Sequence, residues 1–287
     1  MSDDHPQDDE VRLALPLEIL NQVLLLASFD TKAILSLSLV CRTVHSWLIP
    51  VLYHSISFTK SRQLSKFLSG HDIPNDPLES RFSLIQNLYI GHTPHTAGNL
   101  LYGSSSWPLT IVSRILWLST SLKRLTILNL DQNKWRLFEH VIPASLEHLT
   151  LGPVHGPFHP QDLTRRPRLK TFTSAATYMR DDEVRDVVCF PSMRVFRRMM
   201  PPLTMISFYA VNQVKCVEEA RTLESLQIML TGFSTPQKND RKILDDFLLE
   251  VTKDPRVVVI ERREEYVSVV WGEFEECRVN FIVRQII

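Results

Sequence analysis

Leu122-Lys123-Arg124-Leu125-Thr126-Ile127 and Leu146-Glu147-His148-Leu149-Thr150-Leu151 are two copies of one six-residue pattern, 24 residues apart. Positions one, four and six are apolar, and the residues between them are polar. An earlier copy is Ile85-x-x-Leu88-x-Ile90. Later ones are Leu169-x-x-Phe172-x-Ser174, Met193-x-x-Phe196 followed by Arg198, and Leu223-x-x-Leu226-x-Ile228. Successive copies start 37, 24, 23, 24 and 30 residues apart. Residues at positions four and six share one side of a strand, because strand side chains alternate. The period therefore predicts a row of short strands joined by returns of variable length.

Units of 20–29 residues, each a strand plus a return, are the spacing of leucine-rich repeats. In such arrays each unit buries its leucines against its neighbours, and the strands line one face. The long returns have room for extra helices at 107–119, 133–141 and 213–221. The Asn or Cys that such repeats carry three residues past the last patterned position is absent here, where Thr93, Leu130, Val154, Thr177, Pro201 and Thr231 stand. The expectation is an irregular solenoid. An ordinary α/β layer whose strands merely read as leucine runs is the alternative. At the carboxyl end, residues 237–253 read as an amphipathic helix, Arg256 to Glu261 as a strand and Tyr266 to Trp271 as another. Together they offer a terminal cap.

The amino-terminal side is different. Residues 1–12 are acidic and polar and read as a disordered tail. From Leu15 onward, Pro16 suits a first helical turn. Ile19, Leu20, Val23, Leu24 and Ala27 then follow at helical spacing. Asp30 and Thr31 can cap a second short helix, and a third holds Val44, Trp47 and Leu48 and ends near Pro50. The fold class expected is α+β, a three-helix unit over 13–58 followed by an irregular leucine-rich-repeat-like α/β solenoid over 59–287.

Composition narrows the function. The 287 residues carry 32 Lys+Arg against 32 Asp+Glu. Zero net charge gives no support for nucleic-acid binding, which needs a basic surplus. Cys41, Cys189, Cys216 and Cys277 form no C-x-x-C pair, so free thiols are expected rather than a zinc or redox site. The acidic start is unlike a signal peptide. The apolar run Ala33 to Leu52 is broken by Arg42, His45 and Pro50, so no membrane span is expected. Cytoplasmic or nuclear residence follows by elimination.

The catalytic signatures sought are missing. His148, His155 and His159, and separately His92 and His95, lack the Cys or carboxylate spacing of a metal site. Gly103-Ser104-Ser105-Ser106 lacks the second glycine of a nucleophile elbow. No phosphate-binding fingerprint occurs. Asp181-Asp182-Glu183 reads as an acidic helix start. No catalytic residue, cofactor or metal is expected.

Leu15-Pro16-Leu17-Glu18-Ile19-Leu20, then Phe29-Asp30, then Leu37-Ser38-Leu39-Val40-Cys41-Arg42, then Trp47, resembles the F-box motif in order and spacing over about 40 residues. Pro50-Val51-Leu52-Tyr53-His54-Ser55-Ile56 and Asp254-Pro255-Arg256-Val257-Val258-Val259-Ile260 resemble segments of fungal F-box proteins. The resemblance implies a substrate-receptor adaptor of an SCF-type ubiquitin ligase, not an enzyme. The F-box would bind a Skp-type linker and through it a cullin, and the remainder of the chain would hold an unknown protein substrate. Carried over by position, the linker-contacting residues are Leu15, Pro16, Ile19, Leu20, Val40, Cys41 and Arg42, with Trp47 either an interface anchor or a brace. Val44-His45 departs from the motif, where many F-boxes place Arg or Trp. An F-box scaffold with no role in ubiquitylation and a hydrolase of unrecognised type are the alternatives. Substrate contacts are expected on the strand residues between the apolar positions. One row is Tyr89, Thr126, Thr150, Thr173, Arg197 and Gln227, and the other is Asn87, Arg124, His148, Thr171, Val195 and Ser225. The named candidates are Tyr89, Arg124, Thr126, His148, Thr150 and Arg197. The basic residues 165–170 and 194–198 add a possible patch for an acidic or phosphorylated segment.

Overall fold

The computed structural model describes residues 15–72, 81–202, 204–232 and 254–286. Two compact units divide the chain. One comprises residues 1–52 and 279–287, the other residues 53–278. The tail expected over 1–12 and the helix expected over 237–253 lie outside the described residues.

The first unit is helical. Helix α1 spans Leu17–Ala27, α2 spans Thr31–Leu37 and α3 spans Arg42–His54. Pro16 sits just before α1 with φ −52°, where its missing N–H leaves no helical bond unmade. The Asp30 side chain caps α2 by accepting from the Lys32 amide at 2.9 Å. Leu24, Leu25, Ile34, Val44, Leu48, Val51 and Ile282 form its core. The third helix does not end near Pro50. It continues to His54 with Pro50 inside it, and the ring lies on the exposed side.

The second unit is built on one sheet. Its strands are β1 Ser55–Phe58, β2 Asn87–Ile90, β3 Arg124–Leu128 and β4 His148–Gly152, followed by β5 Thr171–Ala175, β6 Val195–Met200, β7 Ser225–Leu230 and β8 Val257–Glu261. They lie side by side in chain order, and every pair is parallel. Helices α4 Ser61–His71, α5 Leu109–Leu118, α6 Asp181–Val188 and α7 Met205–Asn212 occupy crossovers, with 3₁₀ turns at Trp135–Leu137, Pro160–Asp162 and Gln213–Glu219. Helix α8, Tyr266–Ile286, ends the described chain.

This sheet corrects the expected class. The eight described strands form an all-parallel α/β sheet, in place of an α+β arrangement of a helical domain and a repeat solenoid. Parallel neighbours require a crossover after each strand, so among the described residues helices and turns alternate with strands in the second unit. A helical segment at one end of a chain carries no information about that pairing. The strand expected over 266–271 is also corrected, because those residues open α8. Tyr-Val-Ser-Val-Val-Trp has strand propensity, but Val267, Val270 and Phe274 recur at helical spacing and are buried. Tertiary burial on that stripe overrides local preference.

One face of the sheet holds the main core. Leu88, Leu125, Leu149, Phe172, Phe196 and Leu226 pair residue to residue across β2 to β7. All are at most 1% exposed. Phe158 stacks on Phe172, with ring centroids 4.2 Å apart, and Phe172 on Phe196 at 5.7 Å. The aromatic stack fills the middle of the layer, where a smaller residue would leave a void.

Candidate functional site

The residues singled out in the sequence fall on two surfaces, each within one unit. In the helical unit, Leu15, Pro16 and Ile19 are exposed at the start of α1, and Val40, Cys41 and Arg42 are exposed at the α2–α3 link. Leu39 is 85% exposed, Val40 68%, and Leu15 and Leu17 62% each. Val23, Leu26 and Leu35 are about half exposed. Leu20 and Trp47 differ. Both are partly buried and pack against the unit's core. The departure at Val44-His45 has a local role. Val44 is buried, and the His45 ring bonds the Ser38 carbonyl at 3.1 Å, tying α3 to the end of α2.

In the sheet unit, parallel register aligns both polar rows. Asn87, Arg124, His148, Thr171, Val195 and Ser225 are successive partners, as are Tyr89, Thr126, Thr150, Thr173, Arg197 and Gln227. A third row on the same face escaped the sequence reading. Leu128 pairs with Gly152, and Ala175, Met199, Met229 and Ile260 pair in series. It lies two residues beyond the second row, so extending the alternation past the six-residue pattern finds it.

Helix α8 packs on this face. Tyr89, Leu128, Ala175, Met199, Met229, Val270 and Phe274 form a buried cluster with Trp271 and Tyr266 at its border. The Tyr89 ring meets Trp271 edge-on at 5.1 Å and Phe274 at 5.4 Å, and its hydroxyl donates to the His92 carbonyl at 2.6 Å. Burial holds the Tyr89 hydroxyl protonated far above its usual range, with Tyr266 adding to the effect. Burial likewise pushes Tyr266 up to about 12. The Asn87 amide donates to the Phe274 carbonyl at 3.3 Å. Arg197 bonds Gln227 at 2.9 Å and pairs with Glu273.

The substrate candidates therefore separate. Tyr89 is wholly buried and belongs to the contact with α8. Arg197 is committed to Glu273. Arg124 is exposed, and Thr126, His148 and Thr150 are partly exposed. A narrow space of about 30 Å³ is lined by these last four and by Asn87, Glu273, Phe274 and Cys277. His148 is no cation at neutral pH, because burial, with Arg124 nearby, lowers its pKa to about 4.

The basic run divides as well. Arg197 and Arg198 point to opposite faces, as neighbours on a strand do. Arg198 is buried, bonds Gln213 and the Thr177 carbonyl, and is lowered to about 10 by burial. Arg165 stacks over Trp117 at 3.8 Å, beside an open groove of about 540 Å³ between α5 and residues 137–141. These residues do not form one patch.

The arrangement nearest to a catalytic pair is His155 with Ser174. His155 Nε2 lies 2.8 Å from Ser174 Oγ, and Nδ1 lies 2.7 Å from the Gly156 carbonyl. Ser174 is 1% exposed, so no reacting carbonyl reaches it. Burial also lowers the His155 pKa to about 4. The pair cross-links loop and strand. Among the described residues no group of three or more His, Cys, Asp or Glu could hold a metal ion, and no helix is long and apolar enough to cross a membrane. No protein-family model and no curated protein matches the chain.

Proposed function

We propose that this chain is a substrate-receptor adaptor of an SCF-type ubiquitin ligase, whose residues 15–47 bind a Skp-type linker as an F-box. The observation that carries the proposal is the exposed apolar surface of the helical unit, from Leu15, Leu17 and Ile19 to Leu39 and Val40. Exposed apolar side chains of this kind support an interaction site, and buried apolar anchors dominate such interfaces. These residues also carry the F-box resemblance. The sheet unit then holds a protein substrate, and the cullin with its RING partner brings the charged conjugating enzyme. The adaptor's contribution is proximity, because it raises the local concentration of substrate lysines at the thioester. The setting is the cytoplasm or the nucleus.

Affinity capture of the full chain with mass spectrometry, with and without proteasome inhibition, tests the role. Linker and cullin together, plus proteins gained under inhibition, are expected. Linker without cullin would favour a scaffold with no role in ubiquitylation, and loss of both would overturn the proposal.

A further inference from the structure

We infer that the sheet face under α8 is a helix-binding platform. Residues 266–278 are its resident occupant, and the partner is an amphipathic helix with two aromatic residues about one turn apart and a carboxylate beside them. The inference rests on the receptor proposal only in taking that partner to be the substrate.

The composition of the face supports exchange. Parallel sheets buried permanently on both sides read as near-continuous Val, Ile and Leu. Here the core side is mostly Leu, Ile and Phe, with Ser174 and Arg198 among them, while the other carries Asn87, Thr126, Thr150, Thr173, Arg197 and Gln227. Its apolar strip includes Met199 and Met229, whose flexible side chains refit to different partners. A space of about 30 Å³ lies between the helix and the strands, lined by Arg124, His148 and Cys277 among others, beside the direct bond from Asn87 to the Phe274 carbonyl. Trp271, Phe274 and Glu273 show what the face accepts. The two aromatics lie three residues apart and converge on Tyr89, and Glu273 pairs with Arg197. This is helix-in-groove recognition with anchors at i and i+3. Arg124 lines the same space as Cys277, one turn after Glu273. A partner with a carboxylate at the position of Cys277 would gain a second ion pair.

A fluorescent peptide of residues 266–278 is the probe, titrated against the full chain and its Trp271→Ala/Phe274→Ala variant. Resident occupancy reduces apparent affinity by the fraction open, so the variant should bind roughly tenfold tighter or more. Arg197→Glu in that background should abolish the gain, and a Cys277→Glu peptide should bind about two- to fivefold tighter at low salt. Equal binding by wild type and variant overturns the inference. Hydrogen exchange on the wild-type chain decides independently of the variant's folding. Amides of 268–276 should exchange roughly a hundredfold faster than those of β4 to β6 through local opening, and equal protection overturns the inference. Capture of the Skp-type linker by the same preparations reports separately on the adaptor proposal.

Discussion

Tyr89→Ala separates a receptor surface from an internal contact. The sequence pattern puts Tyr89 in a solvent-facing row, where truncation would change stability by roughly 0.5 kcal/mol or less. In the structure its ring is 0% exposed and meets Trp271 and Phe274. Removing a buried aromatic costs about 3–5 kcal/mol, and the two ring contacts favour the upper half of that range. Tyr89→Phe keeps the ring and removes only the bond to His92, at a cost of about 1 kcal/mol. Urea unfolding followed by near-ultraviolet circular dichroism measures both, since the lost packing surrounds Trp271. A loss under about 1 kcal/mol for Tyr89→Ala would match a surface residue and refute the packing of α8 on the sheet.

Gly98→Ala places a Cβ 1.9 Å from the Thr59 carbonyl oxygen, so the loop must shift. The expected loss is about 1–3 kcal/mol, measured by the same unfolding. Stability also depends on pH through His155, whose folded pKa is depressed from 6.5 to about 4 by burial. Its contribution is complete above pH 6.5 and is lost as pH falls toward 4, because the unfolded chain takes up the proton first. It amounts to about 3 kcal/mol. His155→Gln should reduce the slope of stability against pH in that window by about 1.4 kcal/mol per unit. An unchanged slope would show that His155 is not neutral and buried.

The pattern at 122–127 and 146–151 exposed the strands because period two survives in a parallel register. Leu125 and Leu149 are neighbours for the same reason that Thr126 and Thr150 are. The Asp30 cap was legible because its bond to the Lys32 amide is local. What failed was non-local. The sheet's class depends on pairing between strands that a six-residue pattern does not describe. Helix α8 hid behind a β-branched run that only a longer window resolves into a helical stripe. The burial of Tyr89 and the pairing of Arg197 both depend on α8, so a face that looked polar and open is partly occupied. His45, a departure from the motif, has a partner in the Ser38 carbonyl that the sequence does not reveal.

Isothermal titration calorimetry of the purified full chain with a Skp-type linker measures linker binding by the helical unit. Leu15→Ala with Pro16→Ala supplies the comparison, since both residues are exposed and lie outside the sheet unit. Saturable one-to-one binding is expected, weakened in the variant by on the order of 2–4 kcal/mol. Binding equally tight in the variant, or absent in the wild-type chain, would contradict it.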